Sequence, residues 1–358
     1  MAGGGVGDQH GSETFARCPV ALFATLSLGY FQEIMMTDKR FSFFVSRHFS
    51  RCCVFVLGCV LGSGAATGQE PARRPSQAQA QIRSVPVADG FFILTGRGTN
   101  MGVSVGEEGL VLVNAGFAQG QPQTMEILAK LSDKPIRFIV DTDWHDPNVS
   151  ANPLMAKTGA ILVAHDNVRK RLSVERVDPG NATLKIPPYP KEGLPTVTYN
   201  DEMTLHVNGE DIYIFHPANA HSDSDSMVYF PKSNVLTTGD IYYSNNWPLI
   251  DLPSKGTVNG VIAAADRALK IVNANTKVVP GRGPIASVKD FTEYRAMLAT
   301  IRDRVQSGIR EGKNLEQILA AKPTAEYEEA KKGTGELVVN RTGADLVKWI
   351  YQDLSSNR

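Results

Sequence analysis

The sequence predicts an α/β protein of layered sheets covered by helices, on three observations. Short apolar runs bounded by glycine-rich turns recur in both halves of the chain, as strands do. Amphipathic stretches with helical spacing interrupt those runs, which is the pattern of sheets packed under helices. Histidines and carboxylates gather directly after several apolar runs, where strand ends open into loops that carry chemistry.

The strands come first. Phe91–Thr95, Gly102–Val105 and Leu110–Val113 are apolar runs separated by the turns Gly96–Asn100 and Gly106–Gly109. Met125, Leu128 and Leu131, with Ile127 beside them, then suit a helix of about three turns. Phe138–Val140 reads as a buried strand leading into Asp141-Thr142-Asp143-Trp144-His145, and Ala160–Ala164 as another, followed by a basic helical stretch around Arg169–Leu172. In the second half Thr196–Tyr199, Met203–Val207, Asp211–His216, Met227–Phe230, Val235–Thr238 and Lys277–Pro280 are strand candidates. Val261–Val272 is helical, and Ser287 with Asp290 forms a capping box opening a helix that carries Phe291, Tyr294, Leu298, Ile301 and Val305 on one face. Leu346, Ile350 and Leu354 mark a last amphipathic helix.

The chain has 358 residues and no formal net charge, which leaves nothing to recommend nucleic acid or an anionic membrane as partner; a small-molecule ligand or substrate is expected instead. All 4 cysteines (Cys18, Cys52, Cys53 and Cys59) precede residue 60, so thiolate ligands, disulfides and a cysteine nucleophile are excluded from the remainder. That first stretch reads as a targeting segment. Lys39, Arg40, Arg47 and Arg51 form a basic flank, Cys52–Leu61 an apolar run, and Gly62–Gly68 a small-residue cleavage region. The apolar run is short of the ~20 residues of a membrane span, and Val56-Leu57-Gly58-Cys59 is only loosely similar to a lipid-acylation site. The expected organisation is an upstream artefact over 1–34, a signal peptide over 35–68, a Pro/Gln/Ala/Arg-rich linker over 69–84, and one domain over 85–358 in a periplasmic or secreted protein with no membrane span in its mature chain.

Five histidines remain beyond the leader: His145, His165, His206, His216 and His221. A zinc site needs three or four N, O or S donors converging at about 2.0–2.2 Å for N and O. Asp143-Trp144-His145-Asp146, His221-Ser222-Asp223-Ser224-Asp225 and Asp240 each follow a strand, so they can converge. His206 in an alternating strand reads as a surface residue, while His165 and His216 read as neighbours of the pocket. Gly102-Val103-Ser104-Val105-Gly106 matches the G-x-S-x-G pattern, but that nucleophile needs a strand-to-helix elbow, and Glu107-Glu108-Gly109 is a turn between strands.

Taken together, these motifs resemble the metallo-β-lactamase superfamily over about residues 86–285. That family carries T-H-x-H-x-D-H after a strand, then a lone His, an Asp in a G-D pair, and a final His in P-G-H-G. The corresponding stretches are Thr142-Asp143-Trp144-His145-Asp146-Pro147-Asn148, Ala220-His221-Ser222-Asp223, Gly239-Asp240 and Pro280-Gly281-Arg282-Gly283, with Val113-Asn114-Ala115-Gly116 similar to the upstream V-D-x-G. The resemblance implies a four-layer αββα sandwich of two mixed β-sheets flanked by helices.

It also implies two metal positions, and here the sequence departs from the pattern. Asp143, His145 and His221 fall at the first position, and one carboxylate with two imidazoles suffices for a single zinc. The second falls on Pro147, Asn148, Asp240 and Arg282. Proline has no donor and arginine stays protonated. Unit charges 4 Å apart interact by roughly 4 kcal/mol at an effective dielectric of 20, so a divalent ion beside Arg282 would be repelled about twice as strongly. Arg282 is expected to pair with Asp240 instead. The expectation is one zinc at most and not two, with the residue that handles the water unknown; Asp146, Asp223 and Asp225 are candidate substitutes that the spacing does not single out. Two functions stay open: a relative with little or no catalysis that binds a ligand, and a mononuclear zinc hydrolase of an ester, thioester, lactone or β-lactam.

Overall fold

The computed structural model describes residues 81–96, 98–178, 181–331 and 341–356. The expected leader and most of the linker lie outside the described residues. The fold begins slightly before the expected boundary at 85. Ile82 is buried, and β1 (Arg83–Ala88) pairs with its neighbour from Arg83 onward.

The first sheet starts as an antiparallel meander of β1, β2 (Phe91–Thr95), β3 (Met101–Gly106) and β4 (Gly109–Val113). It continues in parallel through β5 (Ile136–Asp141) and β6 (Ile161–His165), reached by right-sized helical crossovers. The crossovers hold α1 (Gln121–Leu131) and the single turns α2 (Asp146–Val149) and α3 (Asn152–Met155). After α4 (Asp166–Leu172) the chain makes a separate two-stranded ribbon, β7 (Arg176–Asp178) and β8 (Asn181–Ile186), that the apolar pattern did not signal. It then returns as β9 (Val197–Tyr199) on the sheet's edge, parallel to β6.

The second sheet has the order β10 (Glu202–Val207), β11 (Glu210–Phe215), β12 (Met227–Phe230), β13 (Val235–Thr237), β14 (Lys277–Val279) and β15 (Ala286–Ser287). Only β13 and β14 are parallel, because α5 (Val258–Leu269) crosses between them. The chain ends in α6 (Val288–Arg310), α7 (Leu315–Ala320) and α8 (Gly343–Ser356). The Ser287–Asp290 capping box forms as expected, and the five apolar residues predicted for the face of α6 are all buried.

Strand periodicity explains the layering. Val111 and Val113 point to the inter-sheet core with Phe91, Val140 and Val163, against Ile212, Ile214, Val228 and Phe230 of the second sheet. Their neighbours Leu110 and Leu112 face outward onto Leu128 of α1 and onto Met155. In the second sheet Phe215, Met227, Leu236 and Val278 face α5, α6 and α8. Two mixed sheets between two helical layers result, the sandwich that the resemblance implied. The parallel strands β4, β5, β6, β13 and β14 all run to the same edge, and that edge gathers the residues after them.

A candidate mononuclear metal centre at the strand ends

Local hydrogen bonds set the frame of the site. Asn114, just after β4, has φ +71° and accepts with its side-chain oxygen from the Thr142 N–H at 2.8 Å and the Thr142 hydroxyl at 2.9 Å. It thereby fixes the turn after β5. The loop after β14 is tied to the first sheet by Asn100, whose amide donates to the carbonyls of Pro280 and Gly283, each at 2.8 Å. Glycine is required at 281, since a Cβ there would meet the Gly239 carbonyl oxygen at 2.5 Å and Asp240 Oδ1 at 2.6 Å.

Within this frame Asp143, His145 and His221 come together, with donor atoms all within 4.8 Å of one another. His145 Nδ1 lies 3.4 Å from Asp143 Oδ1, close to the separation of about 3.3–3.6 Å that two donors on one tetrahedral zinc would have. Their surroundings assign the ring nitrogens. His145 Nε2 donates to Asp251 Oδ2 at 3.0 Å, and His221 Nδ1 to Asp225 Oδ1 at 3.2 Å. An ionised carboxylate only accepts, so it holds the ring proton on the nitrogen facing it. The opposite nitrogens, His145 Nδ1 and His221 Nε2, are buried and lack hydrogen-bond partners among the described residues. Orphaned nitrogens of this kind fit a metal ion, and carboxylates behind ligating imidazoles are the usual support of such an ion.

The local charge agrees. Burial opposes a charge on His145, yet the nearby Asp143 carboxylate and the hydrogen bond to Asp251 outweigh it and push the imidazole up to about 10. His221 is raised too: burial works against it, and its hydrogen bond and proximity to Asp225 prevail. Asp251 is held down at about 2, its burial overcome chiefly by the bond from His145. The pocket is thus rich in carboxylate and seeks positive charge.

The second position is filled differently. Arg282 Nη2 donates to Asp240 Oδ2 at 3.1 Å, and the Tyr243 hydroxyl donates to the same oxygen at 2.8 Å. Burial would raise the Asp240 carboxyl, but Arg282, then His221 and the Tyr243 hydroxyl, hold it well below the usual carboxylate range. Arg282 also bonds the Gly98 carbonyl and stacks over the Tyr243 ring, 5.4 Å from its centroid. Asn148 is engaged as well, accepting from Thr99 Oγ1 at 2.8 Å and donating Nδ2 to both oxygens of Asp143 at 3.0 Å. Pro147 sits in the first turn of α2 and offers no donor. These residues do not fit a second ion.

The other sequence candidates are placed around the site. Asp225 supports His221, while Asp223 pairs with Arg171 at 2.8 Å and Lys255 at 3.5 Å. Asp146 accepts from the Tyr189 hydroxyl at 3.1 Å. His165 stacks on His216 with ring centroids 3.7 Å apart, and His216 Nδ1 donates to the Asp225 carbonyl at 2.7 Å. His206 is exposed and pairs with Asp211. Ser104 is buried inside β3, in register with Phe91 and Val111, so it is an ordinary strand residue. Asp251 was missed from sequence. It lies 106 residues from His145, in a loop without periodicity or motif, and only its position in the fold shows its role.

An αββα sandwich with an imidazole–carboxylate centre at the shared strand edge defines a class, that of the metallo-hydrolase fold. The sequence model of the metallo-beta-lactamase superfamily matches residues 94–283, and the chain belongs to that superfamily. Among solved structures it is similar to the DIM-1 metallo-beta-lactamase, at 18% identity and TM-score 0.50 over 62% of this chain and 98% of that one. It is also similar to the stereoselective inverting sec-alkylsulfatase Pisa1 from Pseudomonas sp., at 16% identity and TM-score 0.53 over 77% of this chain and 51% of that one. At such identities the likeness is one of fold.

Proposed function

We propose that the protein is a mononuclear metallo-hydrolase, with one zinc-type ion held by Asp143, His145 and His221. The observation that carries this is the pair of orphaned nitrogens, each opposite a nitrogen anchored on a carboxylate. When bound, such an ion polarises a carbonyl oxygen and acidifies water. The chain's own residues do the rest. Asp251 and Asp225 keep the imidazoles turned with their lone pairs inward. Asp240 has one oxygen committed to Tyr243 and Arg282, while its Oδ1 is buried without a partner among the described residues. That oxygen can accept from a water and orient it, a task left vacant by Pro147. Asp240 is too weak a base to keep the proton, because Arg282 stabilises its ionised form. Arg282 brings a fixed positive charge to the same edge, where negative charge develops on an attacked ester, thioester, lactone or β-lactam.

A second reading, a ligand-binding relative without turnover, is favoured by the Asn148 amide that clamps both oxygens of Asp143. Elemental analysis of purified and zinc-reconstituted protein, with a panel of those substrates, separates the two. One zinc per chain, lost in His145→Ala, with turnover lost alongside it, supports the hydrolase. Zinc without turnover leaves the ligand-binding reading, and no zinc ends the hydrolase. We also propose that the mature domain works outside the cytoplasm, from the basic flank, apolar run and small residues over 39–68. Amino-terminal sequencing of exported protein tests this, with cleavage near Ala66 or Gly68 expected.

A further inference from the structure

Behind the metal motif lies a guanidinium with unused donors. Arg176, on β7, has only 8% of its side chain exposed. Its Nε and Nη2 are buried and have no hydrogen-bond partner among the described residues. These two atoms form one edge of the guanidinium, the side-on fork that matches two oxygens of a carboxylate, phosphate or sulfate. The remaining terminal nitrogen, Nη1, lies 3.7 Å from Asp146 Oδ1, so the acidic neighbour addresses the other side of the group.

Aromatic rings hold this fork in place. The guanidinium lies over the Trp144 ring at 5.4 Å and over the Tyr189 ring at 5.1 Å. Arg171 approaches Trp144 as well, at 5.3 Å, while its own Nε is committed to Asp223. Trp144 in turn packs on His145, with ring centroids 4.6 Å apart. One indole therefore separates Arg176 from a residue of the candidate centre. A buried cation with a free bidentate edge is expensive to keep unless something binds it, and the contacts of Arg176 with Trp144 and Asp146 leave that edge unused.

We propose that the Nε–Nη2 edge of Arg176 receives an oxyanion, a carboxylate, phosphate or sulfate group, beside the candidate metal centre. The anion is either a group of the substrate itself, which rests on the hydrolase reading and makes the substrate an anionic ester or amide, or a free anion bound next to the site. The anion binding does not depend on catalysis.

The test uses the full chain and inorganic phosphate, with sodium chloride at matched ionic strength as control. Tryptophan fluorescence and melting temperature are followed during titration of wild type, Arg176→Met and Arg176→Lys. A saturable response is expected in wild type, weakened roughly 10- to 100-fold in Arg176→Met. Arg176→Lys keeps the charge and loses the fork, so it should fall between the two; it also carries the test if the methionine variant fails to fold by circular dichroism. In the second arm, a neutral and an anionic ester of the same acyl group are compared. A lower KM for the anionic ester, raised by phosphate and by Arg176→Lys, assigns the anion to the substrate; equal KM values with phosphate still binding assign it to a free anion. Absence of turnover removes only this second arm. No saturable phosphate response in wild type, or the same response in both variants, overturns the proposal and leaves the guanidinium edge as a packing element against Trp144 and Tyr189.

Discussion

Replacing Arg282 by methionine should destabilise the domain in a way that depends on pH and is undone by a second substitution. The Asp240 side chain is 3% exposed and that of Arg282 15%, with 3.1 Å between Oδ2 and Nη2. At that distance the gross attraction is about 5 kcal/mol at an effective dielectric of 20. Removing one member of a buried pair costs about 3–5 kcal/mol, because a charge stays buried without compensation. The partial exposure of Arg282 favours the lower figure, about 3 kcal/mol, or a melting temperature lower by roughly 6–9 °C in a domain of this size. In the wild type the folded Asp240 carboxyl lies below its unfolded value. Its contribution is therefore present above about pH 4 and lost as pH falls through the lower folded value. In Arg282→Met the folded carboxyl rises above its unfolded value, so the penalty grows from about pH 4 upward. Thermal and urea denaturation in chelator, at pH 4 and pH 7, should show a smaller gap at the lower pH, where only the wild-type contribution is in place, and the full gap at the higher one, where the penalty of the variant has been added. Adding Asp240→Asn should restore at least half of the loss. A gap at pH 7 under about 2 °C, a gap independent of pH, or no rescue by Asp240→Asn would refute the buried-pair argument.

Other outcomes follow from the same geometry. Asp251→Asn and Asp225→Asn should each weaken zinc binding about 10- to 100-fold, measured by competition with a chelating dye; unchanged affinity would mean that these carboxylates do not set the imidazole tautomers. The triple variant Pro147→Asp, Asn148→His, Arg282→His should bind one more zinc per chain than its parent by elemental analysis, and equal metal content would show that the second position is not where the motif places it. His165 is lowered to about 4 by burial and by the stacked His216, with Lys170 acting the same way and Asp166 and Asp223 against. Its neutral form is the one the fold favours, so the stability linked to it is in place above about pH 6.5 and is lost as pH falls toward 4. Melting curves of His165→Phe should be flatter than wild type across that range, and parallel curves would remove His165 from the acid sensitivity.

The sheets were legible because both faces of most strands are buried and their apolar runs stand out, as in Leu110–Val113 with alternate residues serving two cores. The ribbon Arg176–Ile186 was not legible. Its Val177 and Leu184 are exposed, so no core imposed a pattern on them. The start of the fold was placed at 85 because Arg83 and Ser84 look like linker, yet their backbone pairing with Thr95 and Leu94 owes nothing to side chains. In the site, Asp143, His145 and His221 were recognisable from position in a motif. The groups that orient them were only half visible. Asp225 sits four residues from His221 and was considered only for another role, while Asp251 approaches His145 through tertiary packing alone.

The two halves of the site differ in how they treat charge, and this favours a built single-ion centre over simple decay. A centre that had only lost ligands would leave its carboxylates unsatisfied. Here one oxygen of Asp240 is paired with Arg282 and accepts from a tyrosine hydroxyl, so the charge of a second ion is replaced by one fixed in the chain. On the other side Asp143, Asp225 and Asp251 surround two imidazoles with no arginine or lysine among their described hydrogen-bond partners, and the excess negative charge remains for something exchangeable to balance. A guanidinium cannot change ligands or acidify water. Its presence fixes the electrostatics of one half and leaves room for an exchangeable ion only in the half whose nitrogens still face inward.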